Sequence, residues 1–338
     1  MNKKSKQELD TVISYILMFF FFLVGITLGI LLKVVFPTET DSSYIQKRAG
    51  GYEYINPLVD FESVESTKIG KLANMEKTLQ KYVDNTIEDY DVTKVSHISI
   101  YYKDLNSGAW IGVNEDEDFS PASLLKLPIM IASYKIAESD STFLQQEIVY
   151  EEKYIASDQN ITPTLQLEDG KTYTIEQLIE RLIKYSDNKA VEPILSEIPN
   201  EQLADIYTDL GIEVPEQNDI TYELKVKDYA SFFRILYNAS YLNKDMSTKA
   251  LKLLSEAEFD EGIVAGLPDG VKIASKFGER IFESDSIEIR KQLHECGIVY
   301  HPNKPYILCI MTKGSDLVSQ EKILQEISSM IYLEVNND

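Results

Sequence analysis

The chain has 338 residues, 44% of them hydrophobic, with 55 acidic against 33 basic side chains and a formal net charge of −22. Such an acidic chain repels polyphosphate, which argues against nucleic acid or an anionic membrane surface as a partner. Its two cysteines and three histidines are scattered without the spacing of metal ligands, and no EF-hand pattern occurs. We therefore expect no metal site and no other cofactor.

The N-terminal region predicts a membrane anchor. Residues 12–32 form an almost unbroken apolar and uncharged run, long enough as a helix to cross the hydrocarbon core. Three lysines precede it within residues 1–10, so the positive-inside rule places this end in the cytosol and the rest of the chain outside the cell membrane. A cleaved signal peptide is the alternative, but its apolar region is shorter, about 7 to 15 residues. We expect a single-pass anchor over residues 11–36.

Two further regions follow the anchor. Residues 37–65 lack hydrophobic periodicity and carry many loop residues, which predicts a stalk or linker. Residues 66–338 are long enough to bury a large core and are expected to form one domain.

The first elements of this domain are a helix, a hairpin and a buried helix. Apolar residues at three- and four-residue intervals predict a helix over about residues 66–85. Alternating apolar residues at 98–102, a turn at 106–108 and a returning strand at 109–113 predict the hairpin. The segment 124–132 is apolar nearly all round, which is typical of a buried helix.

Helical patterns dominate the middle of the chain and strands return near its end. Thr174 with Gln177 resembles a capping box for the next helix. Further helices are expected around residues 200–210, 226–238 and 247–257, strands at 271–278, 295–300 and 306–312, and a last helix from Leu317 to Ile331. This order predicts an α+β fold, with a central antiparallel sheet of about five strands, flanking helices and an inserted helical lobe. A cleft between sheet and lobe is the expected place for a site.

Three short motifs carry candidate chemistry. Ser123 and Lys126 stand three residues apart on one helix face, where the amine can take the proton of the hydroxyl. This pair alone is weak evidence, because Ser-x-x-Lys arises by chance about once or twice in such a chain. The other two motifs are Ser186-Asp187-Asn188, at a predicted helix end, and Lys276-Phe277-Gly278, on a predicted strand.

Together, in this order and these contexts, the motifs resemble the Ser-x-x-Lys, Ser-Asp-Asn and Lys-Thr-Gly signature of class A β-lactamases and penicillin-binding proteins. The resemblance covers residues 93–333 and implies a serine hydrolase acylated by a β-lactam or a D-Ala-D-Ala-like amide. Two alternatives stay open. One is a D,D-carboxypeptidase or transpeptidase acting on peptidoglycan peptides, and the other is a penicillin-binding ectodomain that does not hydrolyse its adduct.

The resemblance also implies a role for each catalytic residue. Ser123 would be the acylated nucleophile and Lys126 its proton acceptor, with a pKa lowered by burial and by the nearby cation of Lys276. Ser186 would pass the proton to the leaving nitrogen.

Substrate contacts follow from the same resemblance. Asn188 would hydrogen-bond the amide side chain of the substrate and help to fix the catalytic lysine. Gly278 belongs to the strand motif that lines the site, and Glu279 follows it. The backbone N–H groups of Ser123 and Glu279 would hold the oxyanion.

The sequence departs from the family at two positions. Phe277 stands where the family usually has a hydroxyl that binds the substrate carboxylate, and Ser275 would point to the other face of the strand. The deacylating Glu-x-x-x-Asn of class A enzymes has no match between the second and third motifs. Glu213, followed four residues later by glutamine, is the nearest candidate base, although a solvated acidic turn is the more ordinary interpretation. Acylation is therefore expected with slow deacylation.

The two cysteines flank the last predicted hairpin symmetrically. With the turn centred between Pro302 and Asn303, Cys296 and Cys309 are expected to lie directly opposite each other. A cross-strand disulfide and two buried thiols both remain compatible with this placement.

Overall fold

A computed structural model describes residues 15, 17–22, 43–64, 69–152, 160–216, 221–282 and 290–337. Most of the predicted span at residues 12–32 lies outside these residues, and the part that is described, residues 15 and 17–22, is helical. Among the described residues, no helix has the length and apolar character needed to cross a membrane. The chain divides into two compact units, Met1–Ser43 with Ser63–Thr67, and Tyr44–Glu62 with Lys68–Asp338. The second unit contains the candidate site.

The strands are, in chain order, β1 (Ser43–Arg48), β2 (Leu58–Val64), β3 (Val95–Asp104), β4 (Trp110–Val113), β5 (Asp118–Phe119), β6 (Glu147–Val149), β7 (Thr172–Thr174), β8 (Leu224–Lys225), β9 (Ile273–Phe282), β10 (Arg290–Val299) and β11 (Tyr306–Gly314). The α-helices are α1 (Ile69–Glu88), α2 (Tyr90–Thr93), α3 (Lys126–Ser139), α4 (Ile175–Lys184), α5 (Val191–Leu195), α6 (Asn200–Asp209), α7 (Val226–Asn238), α8 (Lys244–Leu254) and α9 (Leu317–Asn336).

The central sheet has five antiparallel strands in the order β4-β3-β11-β10-β9. The predicted α+β fold with a five-stranded sheet is therefore confirmed. Strand β3, from the start of the domain, pairs with β11, from its end, so the sheet joins the two ends of the sequence. Strand β9 lies at the edge of the sheet, which leaves one side of its backbone without a neighbouring strand in this sheet.

Each face of the sheet buries a different apolar cluster, because successive side chains of a strand point to opposite faces. One cluster joins the sheet to α1 and α9, and it includes Leu79, Ile310 and Ile327. The other joins the sheet to the helical lobe, and it includes Met130 of α3 and Phe232 of α7. The lobe and the edge strand β9 thus enclose the region in which the three motifs meet.

Residues 43–64 differ from the expected stalk. They contain the paired strands β1 and β2, and Ile55 is only 1% exposed within the lobe-side cluster. Arg48 Nη1 donates hydrogen bonds to Asn56 O (2.6 Å) and to Asn238 Oδ1 (2.8 Å). Because Ile55 is buried and Asn56 N donates to Tyr237 O of α7 (2.8 Å), much of this segment belongs to the folded unit.

The cysteines occupy directly opposed positions in β10 and β11, as the turn-centred count predicts. Their Cα atoms are 3.9 Å apart, and the structure joins Cys296 to Cys309 as a disulfide across the hairpin. Of the two alternatives that the sequence leaves open, the structure has the cross-strand bridge.

Candidate active site

Ser123 lies in a single 3₁₀ turn, Ala122–Leu125, that leads directly into α3. The sequence predicts one helix from Ser123 onward, whereas the α-helical hydrogen bonds begin at Lys126. In a 3₁₀ turn, residues i and i+3 are nearly eclipsed, so Ser123 and Lys126 share one side of the segment. Ala122 has φ +52°, a left-handed conformation that costs free energy for a residue with a side chain. The turn is therefore held by its surroundings.

Ser120 anchors this turn to the sheet, because side chains of β9 and β10 hydrogen-bond its hydroxyl, its N–H and its carbonyl group. Arg280 Nη1 donates to Ser120 Oγ (2.6 Å), Gln292 Oε1 accepts from Ser120 N (3.1 Å), and His294 Nε2 donates to Ser120 O (3.0 Å). His294 Nδ1 accepts from the N–H of Thr312, so its proton must be on Nε2. Burial lowers the pKa of His294 to about 4, which keeps the ring neutral at physiological pH.

Gly278 allows the nucleophile turn to lie against β9. A Cβ at this position would be 2.9 Å from Pro121 O, closer than real Cβ atoms come, and 3.0 Å from Leu124 N, which is tighter than most real Cβ contacts. Only glycine fits at this position of the strand that carries the third motif. The close approach that it allows sets the distance between β9 and the turn that contains Ser123.

Lys126 is buried, with 3% of its surface exposed, and points at the second motif. Its Nζ donates to Ser186 O, to Ser186 Oγ (3.2 Å) and to Asn188 Oδ1 (2.6 Å). Burial lowers the pKa of Lys126 to about 7, although the negative charges of Asp187 and Glu279 act in the opposite direction. Near neutral pH, the amine can therefore exist without its proton and act as a base.

Lys276 of β9 donates to the hydroxyl of the same residue, Ser186. Its Nζ donates to Ser186 Oγ (2.8 Å) and to Phe277 O (2.7 Å), and the side chain is fully buried. Burial, together with the positive charge of Lys126, lowers the pKa of Lys276 well below its ordinary value. The hydroxyl of Ser186 thus lies between two amines, which is the arrangement needed to pass a proton.

The second motif is placed by the end of α4. The helix stops at Lys184, and Ser186 takes a left-handed φ of +53°. Asp187 N then donates back to Arg181 O (3.0 Å), and the Asp187 carboxylate accepts from Lys189 N (2.9 Å). These bonds turn the chain sharply, so that the side chains of Ser186 and Asn188 both face Lys126.

The outer edge of β9 presents the backbone groups of Phe277 and Glu279. Tyr300 N donates to Lys272 O, one residue beyond the Val299–Ile273 pair at which the register ends, so the Tyr300–Lys272 pair is hydrogen-bonded between the two chain segments. Along an antiparallel strand, such pairs alternate with residues whose N–H and C=O point the other way. The N–H of Glu279 therefore faces the open edge, beside the nucleophile turn.

Three of the residues singled out from the sequence bring no side-chain hydrogen bond to this group. Glu213 is exposed in the turn after α6, and its backbone O accepts from the hydroxyl of Tyr222 (2.7 Å). Ser275 points to the other face of β9, as strand alternation predicts, and its Oγ donates to Glu295 Oε1 (2.7 Å). Phe277 is stacked on Phe259 with ring centroids 4.2 Å apart and carries no hydrogen-bond donor into the site.

Glu295 is a buried acid that the motifs did not reveal. It is 0% exposed, accepts from Ile263 N (2.6 Å) and from Ser275 Oγ, and its negative charge acts on Lys276. Its signal in the sequence is weak, because β10 also carries Arg290, Lys291, Gln292 and His294, although a fully buried glutamate is unusual unless it is paired.

The family of the chain is shown by comparison with known proteins. The model of the beta-lactamase enzyme family matches residues 77–335, so the chain belongs to this family. The ROB-1 β-lactamase of Haemophilus influenzae is 25% identical over 272 residues, covering 75% of this chain and 84% of that protein. The chain is thus a serine hydrolase of the class A β-lactamase type.

Solved structures share the fold. A mutant of PBP-A, solved as an acyl-enzyme complex with penicillin G, is 23% identical with a TM-score of 0.66, covering 79% of this chain and 98% of that one. A β-lactamase from Sphaerobacter thermophilus is 19% identical with a TM-score of 0.63, covering 76% and 97%. These likenesses extend over nearly the whole of both solved chains.

Proposed function

We propose that Ser123 is the nucleophile that a β-lactam or a D-Ala-D-Ala-like amide acylates, and that Lys126 takes its proton. The observation that carries this proposal is the pair of buried lysines on the hydroxyl of Ser186, with the pKa of Lys126 at about 7. A lysine is an effective base only when burial lowers its pKa in this way. Because Ser123 and Lys126 share one side of the 3₁₀ turn, the transfer is local.

The remaining steps use the groups that surround this pair. The Ser123 Oγ attacks the carbonyl carbon, and the N–H groups of Ser123 and Glu279 bind the oxyanion. The proton passes through Ser186, whose Oγ accepts from Lys276, to the leaving nitrogen. Asn188, besides fixing Lys126, presents its amide to the amide side chain of the substrate.

Hydrolysis of the acyl-enzyme is expected to be slow. The carboxylates whose charges act on Lys126 are those of Asp187 and Glu279. Both already accept backbone N–H groups, from Lys189 in the first case and from residues 160 and 161 in the second. Glu213, the remaining candidate base, is exposed, and a base that activates water must lie within hydrogen-bond reach of it.

The test is mass spectrometry of the purified protein during exposure to penicillin G. We expect a stable adduct on Ser123 that persists for many minutes, and no adduct in Ser123→Ala. Loss of the adduct within seconds, with product release, would show a working deacylation base and contradict slow hydrolysis. An adduct on another residue, or no adduct together with no turnover, would contradict the proposal itself. Turnover of a D-Ala-D-Ala stem peptide measured in parallel would identify the D,D-peptidase alternative.

We also propose that the enzyme is anchored in the cell membrane. Residues 11–36 form a single membrane anchor, with residues 1–10 in the cytosol and the catalytic domain outside the cell membrane. The uncharged run at residues 12–32 and the lysines before it support this arrangement. Extraction of membranes at alkaline pH tests it. The full chain should remain in the pellet, and its domain should be cleaved by protease added to the outside of intact cells. Release into the alkaline supernatant would contradict the anchor.

A further inference from the structure

Ser120 lies just before the nucleophile turn and belongs to none of the three motifs, yet three side chains of the sheet hydrogen-bond it. The partners are Arg280 of β9, and Gln292 and His294 of β10. These four residues are here called the Ser120 clamp. In the register of the sheet, Arg280 is opposite Gln292. His294 is opposite Gly278, so the three partners lie side by side on one face, next to the third motif.

The position of the turn on β9 decides the geometry of the oxyanion site, because its two N–H groups come from different segments. Ser123 belongs to the turn and Glu279 to β9, and both neighbours of Glu279 in the strand contact the turn region. Gly278 lets it come close, since any Cβ there would lie 2.9 Å from a backbone oxygen at the start of the turn. Arg280 keeps it in that place, through the bond from Nη1 to Ser120 Oγ (2.6 Å).

The turn depends on such contacts because its backbone is strained. Ala122 has φ +52°, and a residue with a side chain stays in this conformation only where the surrounding structure enforces it. At the far end of the turn, the hydroxyl of Tyr229 in α7 donates to Leu124 O (3.0 Å). At the near end, the Ser120 clamp makes the corresponding bonds. Loss of the bond from Arg280 should therefore allow the near end to move away from β9.

The bond from Arg280 is the strongest of the three in the clamp. It is the shortest, and its donor is charged, whereas the side chains of Gln292 and His294 are neutral. A hydrogen bond from a charged donor is roughly twice as strong as a neutral one. The guanidinium lies over the ring of Phe282, 4.4 Å from its centroid, which limits its movement. Ser120 is only 3% exposed, so water has little access to replace the bond.

We propose that Arg280 is a positioning residue that acts through Ser120 and holds the N–H groups of Ser123 and Glu279 at the separation that the oxyanion requires. The inference rests on the proposed acylation of Ser123. An oxyanion site binds the transition state more tightly than the substrate. Loss of the bond should therefore slow acylation and leave the non-covalent binding of the substrate almost unchanged.

Stopped-flow acylation at increasing penicillin G concentrations tests this, because it separates the Kd of the non-covalent complex from the limiting acylation rate. Arg280→Gln and Ser120→Ala should each lower the limiting rate about ten- to a hundredfold, since a misplacement of about 1 Å can cost about a hundredfold. The Kd should change by less than about threefold. The double variant should be no slower than the slower single variant, because both substitutions remove the same bond.

Phenylboronic acid gives a second measurement of the oxyanion site. The bond from Ser123 Oγ to boron forms, the boron becomes tetrahedral and anionic, and the serine proton passes to Lys126. One hydroxyl oxygen on the boron then occupies the oxyanion site, as in the transition state. The affinity for phenylboronic acid should therefore fall in both single variants by a factor similar to that of the acylation rate.

Two matched controls should leave all three constants unchanged. Ser133→Ala removes another buried serine hydroxyl, which donates to Ile129 O (2.9 Å) within α3 and does not contact β9. Arg234→Gln removes an exposed arginine of α7. Thermal melting verifies that each protein is folded. Because the Arg280 side chain is only partly buried, Arg280→Gln keeps the test possible even if Ser120→Ala does not fold.

Three results would overturn the inference. An unchanged limiting rate in Arg280→Gln would contradict the positioning role, and a weaker Kd at an unchanged rate would indicate contact with the substrate instead. Losses that multiply in the double variant would show that Arg280 does not act through Ser120. If neither penicillin G nor phenylboronic acid reacts with Ser123 of the wild type, the proposed function fails as well, whereas a wild type that is acylated no faster than the variants defeats the inference alone.

Discussion

At the residue level, the protonation of Lys126 should control how acylation depends on pH. Burial lowers its pKa to about 7, and only the neutral amine can accept the serine proton. The rate of acylation by penicillin G should therefore rise as the pH increases through about 7 and then level off. Stopped-flow measurement of the acylation rate between pH 5.5 and 9 gives the profile. Lys126→Ala should lower the rate by about a hundredfold or more and remove the rise. A wild-type profile that is flat or falls across this range would contradict Lys126 as the base.

Two substitutions where the nucleophile turn meets β9, one in each segment, should have opposite effects on stability. Gly278→Ala places a Cβ 2.9 Å from Pro121 O, so the turn must move, at a cost of about 1 to 3 kcal/mol in unfolding free energy together with slower acylation. Ala122→Gly removes the side chain from a residue with φ +52° and should be neutral or stabilising by up to about 1 kcal/mol. Urea unfolding measures both changes. If Gly278→Ala left stability and acylation unchanged, the close contact between β9 and the turn would be refuted.

At the level of elements, helix α4 carries the second motif at its C-terminal end. Its N-terminus is a capping box in which Thr174 Oγ1 accepts from Gln177 N (3.2 Å) and Gln177 Oε1 accepts from Thr174 N (2.9 Å). Thr174→Ala should lower the unfolding free energy by about 1 kcal/mol, whereas Thr174→Ser keeps the cap and should cost much less. Equal losses in the two variants, measured by urea unfolding, would show that the hydroxyl is not the stabilising group.

Most elements could be predicted because their signals are local. Apolar periodicity located α1, α7 and α9, and the turn around Asn303 fixed the register of β10 and β11, including the opposed cysteines. Residues 43–64 could not be placed in the same way. The isoleucine that anchors this segment is a single apolar residue without periodicity, and its burial depends on a distant helix.

The site was predictable to the extent that its chemistry follows from short motifs. Ser123, Lys126, Ser186, Asn188 and Lys276 stand in three motifs, and the structure brings the last four into one hydrogen-bonded group. The bonds from the backbone N–H groups of Asn160 and Ile161 to Glu279 could not be predicted, because a loop that hydrogen-bonds through its backbone leaves no pattern in its side chains.

At the scale of the whole molecule, Glu295 should make the stability of the fold depend on pH. Burial raises its pKa to about 7 from an ordinary value near 4.5. A raised pKa of this kind contributes stability that is fully present below about pH 4.5 and is lost as the pH rises through about 7. The loss corresponds to about 3 kcal/mol, because each unit of pKa is worth about 1.4 kcal/mol.

Glu295→Gln separates this effect from the pH dependence of all other groups. The amide oxygen can still accept from Ile263 N and the amide nitrogen can donate to Ser275 Oγ, so the packing against Gly262 is preserved while the ionisable group is removed. The variant should match the wild type near pH 5 and exceed its unfolding free energy by about 2 to 3 kcal/mol near pH 8. Urea unfolding at both pH values gives the difference, and Glu76→Gln, on the exposed surface of α1, should show no such change. A variant less stable than the wild type at pH 8 would mean that Glu295 stabilises the fold as an ion, through its attraction to Lys276, more than its burial opposes it.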